Sequence, residues 1–107
     1  DWSRVLVIPT DERFVPETSA LSNSSLIRAT LLQNYAKKAK FVSFFQPNFS
    51  VQELALHISK ELQTVLPIDI CVLGMGLDIH TASIFPDADR LNDALDLRAS
   101  DILIPVV

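Results

Sequence analysis

The chain has 107 residues, of which 49% are hydrophobic and 21% charged, and its net charge is −4. Because nucleic acids and anionic membrane surfaces attract clustered Lys and Arg, this acidic balance argues against both as partners. No apolar run reaches the length of about 18 residues that a transmembrane helix requires. The single cysteine, Cys71, cannot form an internal disulfide, so we expect a cytoplasmic protein in which Cys71 is a small buried hydrophobe.

The first elements predicted along the chain are a strand and a helix, joined by a loop. Residues 4–10 are rich in apolar and β-branched side chains, which favours a short buried strand. The polar residues 11–22 predict a surface loop. Ser22 or Asn23 would cap a helix that runs to about Tyr35, because a short polar side chain can accept from the first free N–H groups.

A second strand and a second helix follow. The apolar residues 41–45 predict the strand. Ser50 and Glu53 form the Ser-x-x-Glu pattern of a capping box, which predicts that a helix begins there and continues to the proline at position 67. Its apolar residues fall on one stripe at helical spacing: Val51, Leu54, Ala55, Ile58, Leu62 and Val65.

The last part of the chain predicts two more strands. Residues 68–73 are nearly continuous apolar residues, as expected of a fully buried strand. The only two glycines of the chain, Gly74 and Gly76, stand at the end of that strand. A short helix is predicted near residues 91–97, and a terminal strand over residues 102–107.

Alternation of strands with helices indicates an α/β fold. Such a fold is a layered domain with a mainly parallel sheet and helices on both of its faces. We expect one domain over residues 1–107, and since strand-like sequence lies close to both termini we expect that domain to be truncated. Self-association through exposed sheet edges and apolar helix faces is then a reasonable expectation.

Two polar clusters follow predicted strands, at residues 11–13 and 74–83. Ligands of parallel α/β sheets bind outside the carboxyl ends of the strands, so Arg13, Asp78 and His80 are expected to converge on one ligand. The guanidinium of Arg13 suits a phosphate, and an imidazole can take a proton from water near neutral pH. Asp78 stands two residues before His80 and would orient it.

The glycines and hydroxyls of the second cluster add donors. Gly74 and Gly76 allow backbone N–H groups to approach a phosphate or a developing oxyanion closely. Thr81 and Ser83 add hydroxyl groups. From the residues alone these patterns indicate an α/β domain with a small-anion site, while a helix cap remains the alternative role of Ser22 and a solvated loop the alternative for residues 11–13.

Both clusters carry a resemblance to one family. Residues 1–32, DWSRVLVIPTDERFVPETSALSNSSLIRATLL, resemble the 6-phosphogluconolactonase pattern of a strand, Asp-Glu-Arg, an aromatic-Val-Pro step and a Ser-Asn helix start. Residues 68–86, IDICVLGMGLDIHTASIFP, are similar to its second signature, Leu-Gly-Met-Gly-x-Asp-Gly-His-Thr-Ala-Ser-Leu-Phe-Pro. The resemblance implies a Rossmann-like fold shared with glucosamine-6-phosphate deaminases, and hydrolysis of 6-phosphogluconolactone in the pentose phosphate pathway without a metal or organic cofactor.

The resemblance also implies roles for residues. His80 matches the general base that activates water, and N–H groups of the glycine loop would meet the oxyanion. Arg13 would hold the phosphate or sugar hydroxyls, and Asp11 and Asp78 would orient the substrate and the loop. The predicted catalytic residues are His80 and Asp78, and the predicted substrate- or phosphate-binding residues are Asp11, Arg13, Ser22, Asn23, Gly74, Gly76, Thr81 and Ser83.

One departure from the pattern bears on activity. Ile79 stands where the family has glycine, and a positive φ there would cost about 1–3 kcal/mol of strain. We also expect the 107-residue piece alone to have little or no lactonase activity. Two alternatives stay open: a glucosamine-6-phosphate deaminase, disfavoured by Thr81-Ala82-Ser83 after the histidine, and an inactive sugar-phosphate-binding relative, which Ile79 favours.

Overall fold

A computed structural model describes residues 1–107, which divide into two compact units, residues 1–48 and residues 49–107. The helices and strands of the first unit are a 3₁₀ helix at Trp2–Arg4, strand β1 at Leu6–Val7, helix α1 at Asn23–Thr30, a second 3₁₀ helix at Asn34–Lys38 and strand β2 at Lys40–Phe41. The second unit contains helix α2 at Val51–Leu62 and helix α3 at Leu91–Leu95. No helix in the chain combines the length and the apolar character needed to cross a bilayer.

Strands β1 and β2 pair in parallel, with Leu6 opposite Lys40 and Val7 opposite Phe41. This pairing with an intervening helix confirms the predicted α/β class. Both strands are shorter than predicted, because the sheet has two strands and their backbones face each other only over this stretch. Parallel pairing extends only as far as a neighbouring backbone can exchange hydrogen bonds.

Helix α1 ends at Thr30 rather than near Tyr35. The N–H groups of Leu31 and Leu32 both donate to the carbonyl of Ile27, at 2.9 and 3.1 Å, so that carbonyl at the end of the helix has two partners. Asn34 then takes a positive φ of 52° and begins the second 3₁₀ helix. The apolar pattern that predicted one long helix therefore covers two short ones.

The start of α1 is held by Ser22 and by a more distant carboxylate, Glu12. The Ser22 hydroxyl accepts from the backbone N–H of Ser25 at 3.2 Å, which confirms Ser22 as the N-cap. Glu12 accepts from the backbone N–H groups of Asn23 and Ser24, at 2.8 and 2.7 Å. Glu12 thus accepts from two N–H groups that have no partner within the helix, and its negative charge lies at the positive end of the helix dipole.

The same contacts set the ionisation of Glu12. Burial alone would raise the pKa of Glu12. The hydrogen bonds that Ser24, Asn23 and the backbone N–H of Arg13 donate to its carboxylate outweigh burial, so the pKa of Glu12 lies below its ordinary value. In the window between its folded and unfolded pKa values, the folded carboxyl binds fewer protons than the unfolded one. Glu12 therefore contributes stability at neutral pH that is lost as the pH falls through its folded pKa.

Helix α2 of the second unit begins where predicted, but it ends at Leu62 rather than at the proline at position 67, so Val65 lies outside it. The Ser50 hydroxyl accepts from the N–H of Glu53 at 3.3 Å, and the Glu53 carboxylate accepts from the N–H of Ser50 at 2.9 Å, so the capping box is complete. Leu54, Ile58 and Leu62 are buried along one face. The capping-box pattern in the sequence was enough to predict where this helix begins, because both capping partners lie within its first turn.

Two predicted strands do not form. Residues 68–73 have no regular structure and are exposed, and residues 102–107 are also irregular, although mostly half-buried. A parallel strand needs a neighbouring backbone to receive its N–H and C=O groups, and the second unit offers none beyond the isolated bridge between Thr81 and Ile84. The prediction that Cys71 is buried is wrong for the same reason, since its side chain is exposed. Helix α3 is shorter than the predicted range 91–97.

Replacing Glu12 by Gln should lower the free energy of unfolding at pH 7 by about 1–2 kcal/mol, because the amide removes the charge from three backbone hydrogen bonds and from the helix dipole. At a pH below the lowered pKa of the folded Glu12 carboxyl that group is protonated, so the difference between variant and parent should shrink. Denaturant unfolding at both pH values measures this. Asp69→Asn, an exposed acid in the second unit, is the control, and a difference that stays constant with pH would contradict the assignment.

Candidate active site

The Asp-Glu-Arg turn of the first unit is held against the start of α1. Asn23 donates from Nδ2 to the backbone oxygen and to Oδ1 of Asp11, both at 3.1 Å. Ser22 is 4% exposed and donates from its hydroxyl to Glu12 at 3.2 Å. The structure thus brings together Asp11, Ser22 and Asn23, as three of the predicted binding residues, through contacts within the protein.

Arg13 is the exposed member of that turn. Its Nη1 donates to the carbonyl of Leu21 at 2.9 Å, and it forms no ion pair with a carboxylate of the chain. One edge of the guanidinium is thereby anchored to the loop, while its other N–H groups form no hydrogen bond within the chain. That arrangement suits an anion from solution.

The glycine-histidine loop of the second unit, residues 76–80, is a closed turn. The N–H of Gly76 donates to the carbonyl of His80 at 2.8 Å, and the N–H of Ile79 donates to the carbonyl of Gly76 at 3.0 Å. The Gly76 amide is therefore engaged inside the loop. Gly74 has open space around its Cα, so it is the glycine whose backbone a ligand can approach.

Asp78 and His80 form the ionisable pair of the loop. Oδ1 of Asp78 contacts Nδ1 of His80 directly, and it also accepts from the backbone N–H of His80 at 3.3 Å. The side-chain hydrogen bond with His80 is the main cause that lowers the pKa of Asp78 from its ordinary value. An ionised carboxylate can only accept, so Nδ1 must carry a proton and the neutral imidazole presents the lone pair of Nε2.

The ring of His80 also meets an aromatic neighbour. The ring centroids of His80 and Phe85 are 4.4 Å apart, with 36° between the planes. The turn between Thr81 and Ile84, closed by a 3.0 Å bond from the N–H of Ile84 to the carbonyl of Thr81, returns the chain to the histidine. Thr81 itself has a hydroxyl that is shielded from solvent and has no hydrogen-bond partner, so a contact with substrate would require it to become accessible.

Ile79 adopts a φ of 70°, which lies in the left-handed region. A β-branched residue is strained there, because its Cβ crowds the backbone. The side chain is 77% exposed and gains little packing in return. The positive φ that would strain a residue standing in place of the family's glycine is therefore present at Ile79.

Two of the residues that shape these loops were not among the predicted site residues. Glu12 lies between two predicted residues, Asp11 and Arg13. Its position ahead of a Ser-Asn helix start could have indicated that its carboxylate accepts from the N–H groups there. Phe85 lies five residues after His80, a spacing that predicts no contact unless a turn intervenes. The expected convergence of Arg13 with His80 joins residues from the two units and stays a prediction.

Parallel pairing of β1 with β2 and a loop that pairs an acid with a histidine define an α/β protein with a candidate acid-base site. The sequence profile of the glucosamine-6-phosphate isomerases/6-phosphogluconolactonase family matches residues 1–103. The chain belongs to this family. No three His, Cys, Asp or Glu side chains lie close enough together to hold a metal ion.

Individual relatives agree with the family match. The chain is 45% identical to the 6-phosphogluconolactonase of Mesorhizobium japonicum, covering 98% of this chain and 44% of the relative. It is 47% identical to that of Pseudomonas aeruginosa, covering 99% of this chain and 45% of the relative. The crystal structure of a 6-phosphogluconolactonase from Shewanella baltica matches with a TM-score of 0.85 and 39% identity, over 92% of this chain and 43% of that one. The chain thus spans less than half the length of these relatives.

Ile79→Gly should raise the free energy of unfolding by about 0.5–1 kcal/mol, because relief of the left-handed strain exceeds the entropy that glycine adds to the unfolded chain. Ile79→Ala keeps the Cβ and should gain less. Denaturant unfolding of both variants checks this, with Ile68→Gly as a control at an exposed isoleucine without positive φ. Equal stability of the Gly and Ala variants would contradict strain at position 79.

Proposed function

We propose that this chain is part of a 6-phosphogluconolactonase and carries its catalytic histidine. The observation that supports this most strongly is the pairing of Asp78 with Nδ1 of His80, which leaves Nε2 as a base. The relatives named 6-phosphogluconolactonase match the chain over nearly its whole length, which supports the substrate class. A single domain over residues 1–107, a cytoplasmic location and self-association remain predictions beside this proposal.

The proposed reaction is the opening of a cyclic ester. Nε2 of His80 takes a proton from water while the water oxygen forms a bond to the lactone carbonyl carbon, and the carbonyl oxygen becomes an oxyanion. The oxyanion collapses, the bond from the carbonyl carbon to the ring oxygen breaks, and the imidazolium returns its proton to that ring oxygen. The product is 6-phosphogluconate, with one water added across the ester and the histidine restored.

We assign charge stabilisation at the reacting carbonyl to the glycine-histidine loop of the second unit. Since the Gly76 N–H is engaged by His80, we assign the oxyanion to the N–H of Gly74. Asp78 stays ionised beside the imidazolium and stabilises its positive charge. We assign the phosphate to Arg13, because Glu12 already occupies the N–H groups at the start of α1 that would otherwise attract an anion.

A second candidate is a sugar-phosphate-binding relative without hydrolytic activity. One observation favours it: Ile79 is strained and exposed directly before the histidine, where its side chain can crowd a substrate. The deaminase alternative has no such support, since the relatives above are named as lactonases.

A chimera tests the proposal directly. The matching segment of the Pseudomonas aeruginosa enzyme, which is 47% identical over 109 residues, would be replaced by this chain. The chimera should hydrolyse 6-phosphogluconolactone, and His80→Gln in it should lower kcat by about 10²–10⁴-fold, because a general base is lost. His57→Gln is the matched control, since the other histidine of the chain lies on α2 and pairs with Glu61.

The outcomes separate the candidates. Hydrolysis that survives His80→Gln at an unchanged rate would refute the catalytic assignment. A folded chimera that binds 6-phosphogluconate in calorimetry but does not hydrolyse the lactone, and that regains activity with Ile79→Gly, would favour the binding relative for the native sequence.

A further inference from the structure

Three neighbours surround the imidazole of His80 from different directions. Asp78 meets the ring at Nδ1. Phe85 lies across the ring with centroids 4.4 Å apart. Gly76 lies so close beneath Cε1 and Nδ1 that a Cβ at that position would overlap the ring. No group of the chain forms a hydrogen bond with Nε2, which is the remaining polar atom of the ring.

We propose that Phe85 and Gly76 are positioning residues for His80, which hold its ring in the one orientation that keeps Nδ1 on Asp78 and leaves Nε2 without a hydrogen bond to the protein. The catalytic meaning of this inference rests on the proposed function, but the geometry does not. Neither residue exchanges a proton or forms a bond in the proposed reaction. Their role is to select a rotamer.

The selection follows from sterics and from aromatic contact. A side chain of any size at position 76 would occupy the space of the imidazole, so glycine is required there for the ring to fold back over its own loop. Gly76 has no positive φ, which separates this requirement from the usual conformational one. The role of this glycine is therefore the room it leaves for a side chain, in addition to the hydrogen bond of its N–H.

Phe85 limits the ring from another side. The planes are tilted by 36°, a geometry in which the rings remain in contact over part of their faces. The Asp78 contact alone permits the imidazole to rotate outward together with the exposed carboxylate, whose side chain is 54% exposed. With Phe85 in place, the histidine side chain is only 28% exposed, and outward rotation would break the aromatic contact.

The experiment uses the 107-residue chain and reads the His80 ring protons by NMR. The parent should show ring-current-shifted His80 protons, cross-relaxation with the Phe85 ring and with the Gly76 Hα, and a single χ1 rotamer. Phe85→Leu should abolish the ring-current shift and average χ1, whereas Phe85→Tyr should retain both. Gly76→Ala should also displace the ring, and the Phe85 pair keeps the test decisive if that variant does not fold.

A matched control exists within the chain. His57 stacks on Phe49 with centroids 5.1 Å apart, so Phe49→Leu should change the ring signals of His57 and leave those of His80 unchanged. His80 signals that are the same in the parent and in Phe85→Leu would overturn the inference. So would a Phe85→Tyr variant that loses the contact as fully as Phe85→Leu does.

A kinetic readout links the geometry to the reaction. In the chimera described above, Phe85→Leu should lower kcat by roughly tenfold at nearly constant KM, since a misplaced base slows the chemical step rather than binding. Phe85→Tyr should restore kcat. If His80→Gln leaves hydrolysis intact, the proposed function fails while the NMR result for Phe85 still stands. If His80→Gln abolishes hydrolysis and Phe85→Leu changes neither kcat nor the ring signals, only the positioning inference fails.

Discussion

The contact between the Asp78 carboxylate and Nδ1 of His80 is the interaction on which the candidate site depends. The same oxygen also accepts from the backbone N–H of His80, so one carboxylate orders both the side chain and the main chain of the loop. Its lowered pKa keeps it an acceptor at neutral pH. The tautomer of the histidine and the proposed role of Nε2 as a base follow from that charge.

The first unit uses an acid in a different way. Glu12 satisfies the N–H groups at the start of α1, so the helix end that commonly attracts phosphate in α/β proteins is already neutralised here. Asn23 meanwhile holds Asp11, and the backbone of Leu21 anchors Arg13. The Asp-Glu-Arg motif therefore combines a structural acid with an exposed cation, and only the cation is left for an anionic ligand.

Local signals in the sequence predicted local structure well. Ser22 and the Ser50–Glu53 pair predicted two helix starts, because each cap and its partner lie within one turn. The parallel α/β class was also predictable from the order of elements. Residues 68–73 were predicted as a strand from their apolar composition, but composition does not provide a neighbouring backbone, and without one the segment stays irregular and exposed. The aromatic contact of Phe85 depends on a turn that the sequence did not predict, and Ile79 keeps a left-handed φ against its own preference.

The protonation state of His80 tests the central claim most directly. Above the pH at which its imidazole loses its charge, ¹⁵N NMR of the ring nitrogens distinguishes the two neutral tautomers, and Asp78→Asn provides the comparison. The account predicts that Nδ1 bears the proton and Nε2 the lone pair, and that the preference weakens in Asp78→Asn. A ring protonated at Nε2, or a tautomer ratio that is indifferent to Asp78, would contradict the account.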